Sequence, residues 1–211
     1  MRLNIPVIYE DDWLLVVDKP PGLLTIPAAR SRKRTLTGIL NDDARAGGAA
    51  YRLHPCHRLD RETSGVIIYA KGKAVQKRMM ELFKKRAVAK RYRAFVQGRL
   101  RRSRGRISRA VDGREAVTEY RVLRSCKQFS VLSIAPLTGR KNQIRIHLKS
   151  LGHPLVGETR FAFRKDFPLR AQRVCLHAES VSFRHPVEGR RLSLRAALSA
   201  DMQRFLKKHT E

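Results

Sequence analysis

Acidic residues are scarce in this chain: 18 Asp and Glu stand against 46 Lys and Arg in 211 residues, a formal net charge of +28. Such an excess repels itself unless an anionic partner offsets it, and nucleic acid is the usual one. Cysteine is scarce as well. Cys56, Cys126 and Cys175 lie far apart, odd in number and without a C-x-x-C pair, which argues against a disulfide framework and fits reduced thiols. Long apolar runs are missing, so nothing spans a bilayer as a helix. The opening Met1 to Pro6 meets Glu10-Asp11-Asp12 before any apolar stretch builds, unlike a secretory leader. The expectation is a cytoplasmic protein with no membrane partner.

What is present is enough apolar material for a core. Hydrophobic residues make up 42% of the chain, too much for a disordered basic tail. The length suits one domain across residues 1–211, with two small ones also possible. No repeat, linker or low-complexity block divides it. His54-Pro55-Cys56-His57 offers thiolate and imidazole, but ligands so crowded cannot all reach one ion, and no second pair follows at a finger-like spacing. No metal and no cofactor is expected.

Hydrophobic periodicity supplies the elements. Trp13 to Val17 reads as a buried strand ended by the turn Asp18-Lys19-Pro20-Pro21-Gly22. Residues 27–52 are polar and basic, with a short helix around Leu36, Ile39 and Leu40. Val66 to Tyr69 is a strand, and from Lys73 to Arg86 a helix places Val75, Met79, Leu82 and Phe83 on one face. Tyr92, Ala94 and Val96 alternate with Arg91, Arg93 and Gln97, as in a strand with one polar face. Val117 to Leu123, Phe129 to Ala135 and Val174 to Phe183 read as further strands. Ile144, Leu148 and Leu151 recur at helical spacing before Gly152 and Pro154, and Met202, Phe205 and Leu206 mark a closing amphipathic helix. Strands outnumber helices and are mostly adjacent in sequence, so the expected fold is α+β with a largely antiparallel mixed sheet flanked by helices and loops.

Charge concentrates between Lys84 and Arg124, with fifteen Lys or Arg against Asp112, Glu115 and Glu119. Within it Arg99, Arg101, Arg102, Arg104 and Arg106 read as an exposed hairpin or loop. A solvated basic face is one explanation, but nothing in the segment neutralises it, and phosphate contact is the stronger expectation.

The most unusual stretch is His57-Arg58-Leu59-Asp60-Arg61-Glu62-Thr63-Ser64-Gly65, just ahead of the Val66 strand. Arginines on both sides favour the ionised form of Asp60, suiting it to act as nucleophile or base rather than acid. Taken alone, an aspartate between arginines is more often a salt bridge than a catalyst.

The pattern His57-Arg58-Leu59-Asp60-x-x-Thr63-Ser64-Gly65 resembles the signature of the RluA family of pseudouridine synthases. Glu10-Asp11-Asp12-x-Leu14-Leu15-Val16-Val17-x-Lys19-Pro20-x-Gly22 resembles the family's opening segment, and Lys90-x-Tyr92-x-Ala94-x-Val96 its tyrosine-bearing strand. Leu137-x-Gly139-Arg140-x-x-Gln143-Ile144-Arg145-x-His147 is similar to its third motif, continuing through Gly152-His153-Pro154-Leu155-x-Gly157. Leu176-His177-Ala178 and His185-Pro186 resemble its close. Five fragments in the family's order make the resemblance specific and carry it over nearly the whole chain.

The resemblance implies the pseudouridine synthase fold and an intramolecular isomerase that needs no cofactor. It breaks the N1–C1′ bond of uridine and joins C5 to C1′. Asp60 takes the place of the catalytic carboxylate, a role carboxylates fill at glycosidic bonds. Arg145 matches its arginine partner and Tyr92 the tyrosine against the target base. Arg58 matches the residue that fills the gap when the uridine is flipped out. Arg61 and Arg140 join Arg58 and the Arg99 to Arg106 group as expected RNA contacts. Structured tRNA or rRNA is the expected partner, bound by a monomer. The chain leaves no room for the amino-terminal S4-type RNA-binding domain of many relatives, so affinity is expected from the catalytic domain itself. Asn142, Glu158 and Phe161 depart from the family's usual His, Asp and Tyr, and are expected to be peripheral to the carboxylate–arginine pair.

Overall fold

The computed structural model describes residues 4–27, 34–162 and 169–210. Among them fourteen elements follow one another: β1 (Val7–Glu10), β2 (Leu14–Lys19), α1 (Leu36–Ala46), β3 (Leu53–Pro55), β4 (Ser64–Lys71), α2 (Lys73–Lys84), β5 (Ala89–Gln97), β6 (Arg104–Ile107), β7 (Thr118–Ser125), β8 (Phe129–Pro136), α3 (Gln143–Ser150), β9 (Leu176–Arg184), β10 (Arg191–Arg195) and α4 (Ala200–Thr210). The sheet is largely antiparallel, as in the pairs β1–β2, β2–β4, β3–β4, β5–β8, β6–β7, β7–β8 and β9–β10, which fits the expected α+β fold. The chain divides into two compact units. The first comprises the chain to Val88 with Ser180–Ala197, and the second comprises Ala89–Glu179 with the chain from Leu198.

In the first unit the strand order is β1-β2-β4-β9, with β3 paired to β4 and β10 to β9. Leu14, Val16, Val66 and Ile68 share a core with Val75 and Met79 of α2 and with Val181 and Phe183, so the helical face read from the sequence packs on the sheet. Helix α1 is longer than the expected short helix. Thr35 caps it by accepting a hydrogen bond from the Gly38 amide at 3.2 Å, which satisfies an otherwise orphaned donor. Part of the 27–52 stretch lies outside the described residues.

The second unit has the order β9-β5-β8-β7-β6. Strand β5 departs from the expected one-sided alternation. Ala94 and Val96 enter one cluster with Leu132, Ile134, Ile144 and Leu148, while Phe95 enters another with Phe129, Met202 and partly buried Phe205. Gln97 is buried and donates to the Leu169 carbonyl at 2.7 Å. Both faces are therefore covered beyond Arg93, which a period-2 pattern cannot show.

The arginine-rich segment is corrected in part. Arg99, Arg101 and Arg102 precede β6, but Arg104 and Arg106 lie on it, paired with Arg121 and Glu119 of β7 at the end of the sheet order. Gly105 makes this edge possible, because a Cβ there would lie 2.7 Å from the ring of Tyr120, its cross-strand partner. The buried tyrosine lies against bare backbone while the arginines on either side remain exposed.

Candidate active site

In the first unit, the loop ahead of β4 carries Asp60, and three neighbours hold it by its backbone. The buried Lys19 ammonium donates to the carbonyls of Pro20, Leu23 and Arg61 at 2.9, 2.8 and 3.1 Å. The Arg61 carbonyl also accepts from the Gly22 amide at 2.8 Å. The Thr25 hydroxyl donates to the Leu59 carbonyl and accepts from the Leu59 amide at 3.0 and 3.2 Å. His57 accepts the Ile68 amide on Nε2 at 3.1 Å while its ring packs 5.1 Å from Phe83. The Thr63 amide donates to the Asp60 carbonyl at 3.1 Å, closing a turn. Asp60 is half-buried, and Arg58 and Arg61 are exposed. A carboxylate with a fixed backbone thus stands between two cations open to solvent.

In the second unit, half-buried Tyr92 lies on the same face of β5 as Ala94 and Val96, opposite Ile134. Helix α3 begins after Asn142, whose backbone is left-handed at φ 54°, a conformation asparagine tolerates better than most residues. Gln143 then anchors it. Its side-chain oxygen accepts from the Thr138 hydroxyl and the Arg140 amide, and its nitrogen donates to the Val117 carbonyl and the Thr118 hydroxyl, all within 3.0 Å. The Arg109 carbonyl can only accept, so His147 Nε2–H donates to it at 2.8 Å, while Nδ1 lies 2.9 Å from the Thr118 hydroxyl. Burial moves the His147 pKa down, against the hydrogen bond to the Arg109 carbonyl, which favours the charged ring.

Within the first turn of α3, Arg145 is buried and meets Glu158 in a two-pronged ion pair, Nε to Oε2 at 2.8 Å and Nη2 to Oε1 at 2.7 Å. Oε1 also accepts the amides of Arg160 and Phe161 at 2.8 and 3.3 Å. Burial alone would raise the Glu158 pKa, but the bonds from Arg145 and the two amides bring it below its ordinary value. The guanidinium groups of Arg145 and Arg160 both lie over the Phe161 ring, 5.2 and 5.3 Å from its centroid. Glu158 and Phe161 are therefore not peripheral to Arg145, as expected from the sequence, but are its immediate surroundings. Gly157 brings them there, since its φ is +81° and a Cβ would stand 2.0 Å from the Arg173 carbonyl.

A family model described as RNA pseudouridylate synthase matches residues 13–150, which include the Asp60 loop, Tyr92 and Arg145. The chain belongs to the RNA pseudouridylate synthase family. Ribosomal large subunit pseudouridine synthase D of Xanthomonas campestris is 35% identical over 97% of this chain and 69% of its own length. The dual-specificity RNA pseudouridine synthase RluA of Haemophilus influenzae is 32% identical over 91% of this chain and 92% of its own. The solved structure of human RNA pseudouridylate synthase domain containing 4 superposes with a TM-score of 0.81 at 25% identity, covering 96% of this chain and 92% of that one. The expected RluA-type resemblance and pseudouridine synthase fold are thus shown. The chain is an RNA pseudouridine synthase, an isomerase acting on RNA. Among the described residues no helix is long and apolar enough to cross a membrane.

Other expected residues of this synthase fall in different settings. Arg140 is half-buried and spends Nε on the Glu115 carbonyl at 3.0 Å, so it braces the turn into α3. Cys56 is buried and its thiol is pushed up to about 12 by burial, while His57 uses Nε2 on the β4 backbone, so this pair does not offer a metal site. Asp11, His185 and Glu188 do cluster in the first unit. However, His185 Nδ1 accepts from the Val187 and Glu188 amides, which puts the ring proton on Nε2, 3.1 Å from Asp11 Oδ2. That ring has no lone pair to give a metal, and Arg190 beside both carboxylates opposes a cation.

Sequence reasoning missed two residues of the site. Lys19 was legible in a turn and in the family's opening segment but not as a brace of the Asp60 loop, because a buried lysine is rare and nothing local announces one. Glu158 carried a signal: it is an acidic residue in an acid-poor chain beside Gly157.

Proposed function

We propose that this synthase isomerises uridine in structured ribosomal or transfer RNA with Asp60 as the catalytic carboxylate. The observation that supports it most is the Asp60 loop, where Lys19, Thr25 and His57 fix the backbone of a carboxylate flanked by exposed arginines. The reaction breaks N1–C1′ and forms C5–C1′, and the proton lost from C5 to water is matched by one taken up at N1, with no redox change. Asp60 acts as nucleophile toward the sugar or the base. Tyr92 lies against the base, its ring stacking and its hydroxyl placed to assist loss of the C5 proton. Arg145, steadied by Glu158, carries the positive charge that the resemblance assigns to the reaction. Arg58 takes the space of the flipped uridine, and Arg61, Arg140 and the Arg99 to Arg106 group grip phosphates. Two relatives are named for the large ribosomal subunit and for dual specificity. Ribosomal RNA is therefore the first target to map, in a cytoplasmic enzyme.

The test is Asp60→Asn. Isomerisation should vanish while RNA binding stays nearly intact, since the change removes a negative charge from a site facing phosphates. Full turnover by that variant, with deamidation excluded by mass spectrometry, would refute the assignment. Pseudouridine mapping in rRNA and tRNA with and without the gene then identifies the target.

A further inference from the structure

Lys90 lies two residues before Tyr92 on β5, so both side chains leave the same face of the strand. Its Nζ stands over Gly139, 3.9 Å from where a Cβ would be, in the turn that leads into α3 and Arg145. The residue is half-buried, and among the described residues nothing hydrogen-bonds or ion-pairs with its ammonium. The neighbouring cations differ: Arg93 is paired with Glu179 at 2.5 Å and Arg145 with Glu158. Burial, with no charged group opposing it, moves the Lys90 pKa below its ordinary value. A partly desolvated cation without a counter-ion costs stability, which a bound anion restores. In an enzyme of RNA the anion at hand is the phosphodiester.

We propose that Lys90 binds a backbone phosphate of the RNA beside the uridine that lies against Tyr92, making it a substrate-positioning contact. This rests on the reading of Tyr92 given above. It separates the roles of two basic sets: the exposed Arg99 to Arg106 group gathers RNA at long range, whereas Lys90 sets the nucleotide's depth at the site.

The test uses RNA tritiated at uracil C5 from a strain lacking the gene, because forming C5–C1′ releases the label to water. For Lys90→Gln, the half-saturating RNA concentration should rise roughly tenfold, as expected for one charged hydrogen bond. The rate at saturation should stay within about twofold. The dependence of log affinity on log salt should flatten by about 0.7, the share of one phosphate on a single strand. Lys90→Arg should recover affinity, and Lys90→Gln should melt no lower than the native protein. An unchanged half-saturating concentration overturns the proposal. So does an unchanged salt slope, which would mean contact with an uncharged base atom, and so does a lowered melting point with a slower saturated rate, which would mean a structural role. If the native protein itself releases no tritium from that RNA, it is the proposed isomerisation of uridine against Tyr92 that fails instead.

Discussion

Replacing Glu158 by Gln keeps the shape of the side chain and removes its charge, which isolates what the ion pair with Arg145 contributes. The side chains are 7% and 1% exposed for Arg145 and Glu158, so water does little to screen the loss. Removing one member of such a pair leaves the other charge buried, at a cost of about 3–5 kcal/mol. The amide oxygen of Gln can still accept from Arg145 and from the Arg160 amide, which favours the lower end, about 3 kcal/mol. At this chain length each kcal/mol moves the melting point by about 2–4 °C, so Glu158→Gln should melt roughly 6–12 °C below the native protein at neutral pH. The pH dependence supplies a second arm. Because folding lowers the Glu158 pKa, its contribution is present above the ordinary value of 4.5 and fades as pH falls through the depressed one. The gap between native and variant should therefore narrow in acid, since Gln does not titrate. Glu158→Asp, which retains the charge, should recover part of the loss. Melting within about 2 °C of native at neutral pH, or a gap that stays constant into acid, would refute the claim that this carboxylate neutralises Arg145.

Changing Arg99, Arg101, Arg102, Arg104 and Arg106 to Ser should weaken RNA binding and flatten its salt dependence by roughly 0.7 to 0.9 for each phosphate no longer gripped. Turnover at saturating RNA should survive, and binding titrations at several salt concentrations with single-turnover rates check both. Lys19→Met should remove one donor from each of three carbonyls, leaving the Arg61 carbonyl only the Gly22 amide, and loosen the turn beneath Asp60. Faster amide hydrogen exchange at Gly22, whose N–H bonds to Arg61, is the expected sign, and unchanged protection there would show that Lys19 does not brace the loop.

Elements with long apolar periodicity are readable from the sequence. Helix α2 and strands β2 and β4 lie within a few residues of where Val75, Met79, Val16 and Ile68 put them, because burial on one face is written locally. Strands β1, β3, β6 and β10 are not readable in this way. Each has three to five residues and exists through its partner, as when Arg104–Ile107 becomes a strand only by pairing with β7. Motif order singled out Asp60, Tyr92 and Arg145 as candidates. The partnership of Arg145 with Glu158 joins residues thirteen apart through a left-handed glycine, and no spacing rule foretells such a turn.

Strand β9 and the segments around it bear on how the protein is made. Because Leu176–Glu179 counts to the second unit, Ser180–Ala197 to the first and Leu198 onward to the second, each unit is woven from two separate stretches of polypeptide. The first core lacks Val181, Phe183 and Leu192 until that late stretch is synthesised, and the second lacks Met202, Phe205 and Leu206 until α4 has been added. A ribosome translating this message therefore cannot release one finished half while it makes the other, as it does with consecutive domains. Both hydrophobic interiors stay open until Ser180–Ala197 and α4 have followed, so the nascent chain presents apolar surface and its arginines together to the polyanionic RNA of the ribosome that is making it.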